Sequence, residues 1–151
     1  MKITYRIAIP EDTAECISLR GKTRENPYTV EQLQEIGVTH DSWQEGITRG
    51  DFIGYVGVSE GRIVGYCFGD KNTGEVLVLA LLPAYENKGI GKTLLYLVID
   101  YFKDSGFKRV FLSCSPDPQN RSYGFYRHLG WSFTGLYDDA DDEILEYVTA
   151  I

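Results

Sequence analysis

The sequence predicts an α/β (α+β) fold in which helices flank a mixed, mostly antiparallel sheet. Short segments of alternating or unbroken apolar residues are typical of strands, and segments with apolar residues at helical spacing lie between them. One unbroken apolar strand is followed by a glycine loop, an amphipathic helix and a second apolar strand, which predicts parallel pairing of these two strands. At 151 residues, 43% apolar and 25% charged, the chain predicts one globular domain spanning residues 1–151.

The first third of the chain predicts one strand followed by helices. Residues 3–9 alternate between apolar and polar side chains, as a half-buried strand does. Pro10 and the two acids after it open a first helix, because proline and acidic residues favour the first helical turn. Thr29 is a typical N-cap for a short second helix over residues 30–36. The polar segment 39–50 predicts one further turn of helix.

The rest of the chain predicts six strands and two helices, in the overall order β-α-α-β-β-β-α-β-α-β-β. Turns containing Gly61 and Gly74 separate the first three of these strands, and Gly106 ends the long helix. The strands span residues 52–58, 63–68, 76–82, 110–114, 131–137 and 144–148, and the helices span residues 90–105 and 119–129.

The loop between the central strand and the long helix is the feature most indicative of function. Its residues are Asn87, Lys88, Gly89, Ile90, Gly91, Lys92 and Thr93. The first backbone N–H groups of a helix have no intrahelical partner, and with the positive end of the helix dipole they form a site for phosphate. Gly89 and Gly91 let a ligand approach the backbone without a Cβ in the way, and two lysines add positive charge. A strand, loop and helix without a ligand is the alternative.

Three kinds of glycine loop compete for this segment. A nucleoside-triphosphate P-loop, G-x-x-x-x-G-K-[ST], would place its first glycine at Glu86, where a carboxylate would face phosphates. The dinucleotide motif G-x-G-x-x-G would need its third glycine at Leu94. The third kind is a pyrophosphate loop of the form [QR]-x-x-G-x-[GA] after a strand and a proline. Residues 83–91 fit this third form except at Glu86, so it is the favoured interpretation.

The composition limits the classes of partner. A net charge of −7 and a pI of about 4.8 argue against nucleic acid or an anionic membrane, and they are compatible with a cationic small substrate. Cys16, Cys67 and Cys114 lack the spacing of metal ligands, so we expect reduced thiols in a cytoplasm and no metal site. We also expect neither a signal peptide nor a membrane span.

Two segments, in this order and at this spacing, resemble one family. The central strand, the proline after it and the glycine loop resemble the acetyl-CoA motif of the GNAT superfamily of N-acyltransferases. Residues 119–131 resemble its second motif, N-x-x-[AS]-x-x-F-Y-x-x-x-G-F, and the element order resembles the family's fold over nearly the whole chain. The chain departs from these motifs at Glu86, Gln119 and Trp131. Because Glu86 brings negative charge near phosphates, we expect weaker rather than absent cofactor binding.

The resemblance implies a cofactor, acetyl-CoA, with CoA as the product. It implies that the two parallel strands splay apart and that the pantetheine arm lies in the gap, where Leu81 and Leu82 offer backbone groups. Residues 87–93 would hold the pyrophosphate, mainly through backbone amides. Gln119 and Ser122 of the second motif would also contact the cofactor.

The resemblance also assigns chemistry to two side chains. Tyr126 stands where the family has a tyrosine that protonates the departing CoA thiolate, which needs a proton as the bond to sulfur breaks. The alternative for Tyr126 is an aromatic ring packed under its helix. Glu75 opens the central strand, where some members carry a glutamate that takes a proton from the amine directly or through water. The alternative for Glu75 is a solvated strand end.

Other candidates for a catalytic role are weaker. Tyr85 and His128 are two of them. His40 lies in the polar segment near Trp43, which could cap the substrate site, but a lone histidine is usually a surface residue. Ser113 and Ser115 have no histidine at a suggestive position, and direct transfer needs no protein nucleophile.

Five carboxylates lie in one six-residue turn between the last two strands: Asp138, Asp139, Asp141, Asp142 and Glu143. We expect this turn to be exposed, because unpaired charges are costly to bury. It could be a solubilising surface. In the fold that the sequence resembles, this loop often borders the acceptor entrance, so the turn could also attract cationic amines.

These features predict an acetyl-CoA-dependent N-acetyltransferase. The acceptor would be a primary amine of a small molecule or peptide, and a cationic acceptor would suit the charge. The amine would attack the thioester directly in a ternary complex, with backbone amides polarising the carbonyl. The alternative is a catalytically weak acyl-CoA-binding or regulatory module, which the unusual carboxylate of Glu86 in the loop would indicate. The same carboxylate disfavours an NTPase. We expect no nucleic-acid or membrane partner. A homodimer is compatible with the sequence, which does not fix the oligomeric state.

Overall fold

The computed structural model describes residues 2–23, 29–35 and 37–149, so the predicted end of the second helix, residue 36, lies outside the described residues. The strands are β1 (Thr4–Ile7), β2 (Phe52–Ser59), β3 (Arg62–Asp70), β4 (Val76–Leu81), β5 (Arg109–Cys114), β6 (Ser132–Tyr137) and β7 (Glu143–Val148). The helices are α1 (Thr13–Arg20), α2 (Val30–Glu35), α3 (His40–Arg49), α4 (Ile90–Asp104) and α5 (Arg121–His128). Short 3-10 turns lie at Pro10–Asp12 and Pro83–Tyr85. The predicted fold class is confirmed.

Helix α3 is the main difference from the predicted elements, because ten residues are helical where we expected a single turn. Thr39 Oγ1 accepts a hydrogen bond from the Ser42 N–H at 3.0 Å, and Ser42 Oγ accepts one from the Thr39 N–H at 2.9 Å. This capping box starts the helix, and Gly50, at a φ of 81°, ends it. Trp43 then packs its ring against Phe52 at 4.7 Å between centroids, which anchors the helix to the sheet.

The strands form two antiparallel sheets, in the orders β1-β2-β3-β4 and β5-β7-β6. The sheets meet where β4 and β5 run parallel, through one isolated bridge between Glu75 and Phe111. The Phe111 N–H also donates to the Gly74 carbonyl at 3.2 Å. The parallel pairing predicted from the crossover is therefore limited to this one point. Beyond it the two strands diverge and leave a cleft between the sheets.

Helices cover the two faces of the first sheet differently. Helix α4 packs on one face and forms a core with β5, β7, Tyr126 and Trp131. Helices α1 and α3 pack on the other face, over a second core that contains Tyr66 and Phe68. The cleft between β4 and β5 is therefore reached from two sides, one bordered by α4 and the other by α1. Within the described residues, every helix is too short or too polar to cross a lipid bilayer.

Candidate functional site

The cleft between β4 and β5 has a volume of about 340 Å³ and is the centre of the candidate site. Its walls are mainly β4, the end of β5, helix α5 and Gly91 of α4. Because β4 ends one sheet and β5 begins the other, the backbone groups on their facing edges have no ladder partner beyond the bridge. Two open strand edges can bind an extended chain that carries amide groups.

The glycine loop lies at the rim of this cleft and presents free backbone donors. None of the N–H groups from Asn87 to Lys92 donates to an acceptor among the described residues. Asn87 and Gly89 have positive φ angles, 61° and 80°, which turn successive N–H groups toward one side. These donors precede a helix of fifteen residues, so they coincide with the positive end of its dipole. Such an arrangement of donors is suited to binding a phosphate group.

The side chains of the loop are arranged around these donors. Lys88 and Lys92 are exposed. The Thr93 hydroxyl donates to the Gly89 carbonyl at 2.9 Å, which stabilises the loop. Because its hydrogen is used in this bond, the hydroxyl can only accept hydrogen bonds from a ligand. Ile90 is the first residue of α4, and its side chain is buried, so it can contribute only through its backbone. The structure therefore brings the predicted loop residues together, and their unbonded backbone N–H groups lie at the rim of the cleft.

Glu86, the residue that departs from the expected pyrophosphate loop, forms an ion pair with Arg121 at the start of α5. The Glu86 side chain is only 11% exposed. Arg121 Nη2 also donates to Asn87 Oδ1 at 2.9 Å. Arg121 thus balances the charge of Glu86 and ties the glycine loop to the opposite wall of the cleft. Sequence reasoning did not identify Arg121, although an unexpected acid in one motif is a reason to look for a base in the other.

Of the two leucines predicted to offer backbone groups, only Leu81 lines the cleft. Leu82 is 8% exposed and is bonded within the fold. Its N–H donates to the Val64 carbonyl, and its carbonyl accepts from the Tyr85 N–H, both at 2.9 Å. The backbone N–H and carbonyl of Leu82 therefore stabilise the turn after β4.

The second motif also contributes differently from its prediction. Ser122 lines the cleft, but Gln119 is exposed and lies outside it, with its N–H bonded to Asp117 Oδ1 at 2.9 Å. Asn120 lines the cleft instead. Helix α5 begins at Arg121, so Gln119 belongs to the loop before it and Asn120 is the residue beside the site.

Tyr126 lines the cleft and is 9% exposed. Its ring makes edge contacts with Phe125 and Trp131, at centroid distances of 5.1 and 5.7 Å. Its hydroxyl makes no hydrogen bond to any described residue. Burial raises the pKa of Tyr126, so the hydroxyl stays protonated at neutral pH. The packing fixes the ring, and the unbonded hydroxyl can donate to a ligand in the cleft.

Two carboxylates with raised pKa lie near the cleft. Glu75 lies at the bridge that closes one end, outside the lining residues, and burial followed by the charges of Asp70 and Asp138 raises its pKa. Asp142 lines the cleft, and burial followed by repulsion from Asp138 and Asp141 raises its pKa. Sequence reasoning placed Asp142 only in an acidic turn, because its approach to β5 depends on the pairing of β5 with β7.

The acidic turn is only partly exposed. Asp139 and Asp141 face solvent, while Asp138 Oδ1 accepts the Ala140 and Asp142 N–H groups at 2.9 Å each. The prediction of an exposed Glu143 is wrong. This residue is 7% exposed, and its carboxylate accepts from Arg127 Nη2 at 2.8 Å. Burial is tolerated here because the charge is paired.

Three of the five weaker candidates, Tyr85, His40 and His128, lie outside the cleft. Tyr85 belongs to the 3-10 turn after β4, and His40 and His128 are exposed. Ser113 and Ser115 do line the cleft, but no histidine does so among the described residues. The cleft thus has no base beside a hydroxyl nucleophile, and a covalent acyl-serine route finds no support in this geometry.

Comparison with known proteins gives one family and one fold. The sequence model of the Acetyltransferase (GNAT) family matches residues 14–131. The structure is similar to the PaiA N-acetyltransferase of Thermoplasma acidophilum in complex with coenzyme A. The TM-score is 0.81 and the identity 24%, over 98% of this chain and 99% of that chain.

Two further solved structures have the same fold. A phosphinothricin acetyltransferase of Sinorhizobium meliloti in complex with acetyl-CoA is 19% identical, over 99% of this chain and 90% of that chain, with a TM-score of 0.74. An N-acetyltransferase of Staphylococcus aureus is 15% identical, over 99% of both chains, with a TM-score of 0.74. No curated protein sequence matches the chain.

Proposed function

Because the chain belongs to the GNAT family of acetyltransferases, which matches residues 14–131, we propose that it transfers an acetyl group from acetyl-CoA to a primary amine of a small molecule or peptide. One observation carries this proposal: a run of free N–H groups at the start of α4 adjoins a cleft between two open strand edges. Acetyl-CoA has the matching parts in the same order, a pyrophosphate and then an arm with amide groups that ends in a thioester. Related solved structures that contain coenzyme A or acetyl-CoA support the same assignment.

The residues that would hold acetyl-CoA follow from this match. The N–H groups from Asn87 to Lys92 bind the pyrophosphate, and the charges of Lys88 and Lys92 favour its approach. Leu81 and the facing edge of β5 bind the amides of the arm, and Ser122 and Asn120 line the opposite wall. Because Arg121 balances Glu86, the acidic residue in the loop does not prevent binding.

Acetyl-CoA supplies the acetyl group as a thioester: a C–N bond forms as the C–S bond breaks, the nitrogen loses a proton and the sulfur gains one. Tyr126 is the O–H donor for that sulfur. A phenol with a raised pKa is a weaker acid than a thiol, whose pKa is about 8.5. We therefore assign to Tyr126 a hydrogen bond to the sulfur that strengthens as negative charge builds there; when its proton passes to the thiolate, a proton from solvent restores the phenol.

The acceptor amine is an ammonium ion at neutral pH and must lose a proton before it attacks. We assign this proton transfer to Glu75, directly or through water, because a carboxylate with a raised pKa is a stronger base than a solvated one. Asp142 in the cleft wall, with the exposed Asp139 and Asp141, attracts the ammonium toward the site.

We propose a cytoplasmic location. All three cysteines are free and buried thiols, which suits a reducing compartment.

Calorimetric titration with acetyl-CoA, CoA and ATP, followed by turnover with a panel of amines, tests the proposal. We expect acetyl-CoA and CoA to bind, ATP to bind far more weakly, and mass spectrometry to detect an acetylated amine. Binding of acetyl-CoA without acetylation of any amine would instead indicate an acyl-CoA-binding module. Tighter binding of ATP than of acetyl-CoA would refute the assignment of the loop.

A further inference from the structure

A second cavity, of about 250 Å³, lies on the face of the first sheet that α1 covers. It is enclosed by α1, α2, the segment before α3, α3 itself and strands β3 and β4. Leu77, Val78 and Arg20 line both this cavity and the cleft. The two spaces therefore adjoin along β4. A ligand in this cavity therefore lies beside the cleft.

The walls of this cavity are mainly apolar, and Arg20 and Tyr66 are the polar side chains among its described lining residues. The apolar lining comes mainly from Cys16, Ile17, Leu33, Val38 and Trp43, together with the two residues shared along β4. Among the described residues that line it, none carries a carboxylate. Apolar groups are stabilised by such surroundings, whereas a buried ammonium ion without a counter-charge is strongly disfavoured.

Tyr66 provides a polar group in this cavity. It is 4% exposed, and its hydroxyl makes no hydrogen bond to any described residue. Burial raises the pKa of Tyr66, so the hydroxyl is neutral and protonated. One uncharged polar substituent on a ligand would satisfy it.

We propose that this cavity holds the body of the acceptor, and that the preferred acceptor is a primary amine on an uncharged apolar body about the size of one aromatic ring. The inference rests on the proposed acetyl transfer, since it assumes that the amine meets the thioester in the adjoining cleft. The size agrees, because an apolar cavity of about 150 Å³ already holds benzene. The reacting nitrogen lies at the boundary along β4, and the rest of the molecule lies under α1.

A matched pair of amines tests the charge of the body. Hexylamine and hexamethylenediamine have the same chain and differ by one distal ammonium group. We expect kcat/KM for hexylamine and for phenethylamine to exceed that for hexamethylenediamine by about tenfold to a hundredfold, the range given by burial of an apolar group of this size. An equal or larger kcat/KM for the diamine would overturn the inference.

A matched pair of variants tests the location. Val38 lines the cavity but not the cleft, is half-buried, and lies in the segment between α2 and α3. Val38→Asp should shift the preference toward hexamethylenediamine by about tenfold, because it adds a counter-charge for the distal ammonium. Val38→Asn has the same size without the charge and should not shift it. Unchanged acetyl-CoA affinity would show that both variants are folded. An equal preference between the two amines in Val38→Asp and Val38→Asn would refute the assigned location.

Trp43 gives a readout that needs no turnover. We expect phenethylamine to change the tryptophan fluorescence of the CoA-bound protein, and Trp43→Phe to remove that change while the buried Trp131 remains. Binding without turnover would support the cavity and refute the proposed acetyl transfer. Turnover with a preference for hexamethylenediamine would refute the cavity and leave the acetyl transfer standing. If apolar amines neither bind nor react, the inference is wrong.

Discussion

Gly91→Val is the substitution that tests the role of the glycine loop most cleanly. A Cβ at Gly91 would lie 3.8 Å from Phe125 Cζ and 3.9 Å from Leu79 Cδ2, which are ordinary contact distances, and Gly91 has no positive φ. Since glycine is also a poor helix former, folding stability should change by less than about 1 kcal/mol. The added methyl groups would occupy the cleft wall where a pyrophosphate must approach the backbone. Acetyl-CoA affinity should therefore fall by more than about tenfold, or about 1.4 kcal/mol.

Isothermal titration with acetyl-CoA measures the loss in affinity, and thermal unfolding measures the stability. Gly124→Val is the matched control, because Gly124 lies in α5, outside the cleft lining, and a Cβ there would meet nothing within 4 Å. The same change at Gly89 is less clean, since its φ of 80° would strain a β-branched residue whatever the ligand does. An unchanged Kd for folded Gly91→Val, or an equal loss in Gly124→Val, would refute the reasoning.

Four other predictions concern chemistry and charge. Tyr126→Phe removes only the hydroxyl and should lower kcat by about tenfold to ten-thousandfold with little change in acetyl-CoA affinity; loss of stability at constant kcat would make Tyr126 a packing residue. Glu75 acts as a base only when deprotonated, so kcat/KM should rise with pH through its raised pKa; Glu75→Gln should abolish this acidic limb, and an identical pH profile would remove Glu75 from the mechanism. Glu86→Gln removes a negative charge from the loop and should leave acetyl-CoA binding equal or tighter, whereas clearly weaker binding would show that its carboxylate is needed to hold the loop and α5 together. Replacing Asp139 and Asp141 with asparagine should flatten the fall of kcat/KM for an amine with rising salt, since steering by these exposed charges decays over about 10 Å at 0.1 M salt; parallel salt profiles would leave the acidic turn as a solubilising surface.

The predicted elements depended on local patterns, and the structure differs from them where tertiary contacts decide. The unbroken apolar run, the glycine loop and the helix after it were predictable because apolar spacing and free helix donors are properties of neighbouring residues. The length of α3 was not predictable, because its sequence is mostly polar and the packing of Trp43 against Phe52 is a tertiary contact. Only the family resemblance predicted that β4 and β5 separate, because the crossover connection alone predicts a continuous paired ladder.

In the candidate site, too, local features were predictable from the sequence and tertiary contacts were not. The loop donors could be read from the sequence, but the pairing of Glu86 with Arg121 joins residues far apart in the chain. The residue at which α5 begins also decides which side chain lines the cleft. Because α5 begins at Arg121, Asn120 rather than Gln119 lies beside the cleft. The apolar cavity is formed by three helices and two strands, so no single segment of the sequence indicates it.

The central claim is direct transfer of the acetyl group from acetyl-CoA to an amine. Incubation of the protein with carbon-13-labelled acetyl-CoA, with and without phenethylamine, followed by mass spectrometry of both the protein and the small molecules, tests it most directly. We expect the label on the amine nitrogen, one CoA released for each amide formed, and no acetyl group on the protein when the amine is omitted. A stably acetylated protein that passes its label to the amine, or release of CoA with no labelled amide, would contradict the account.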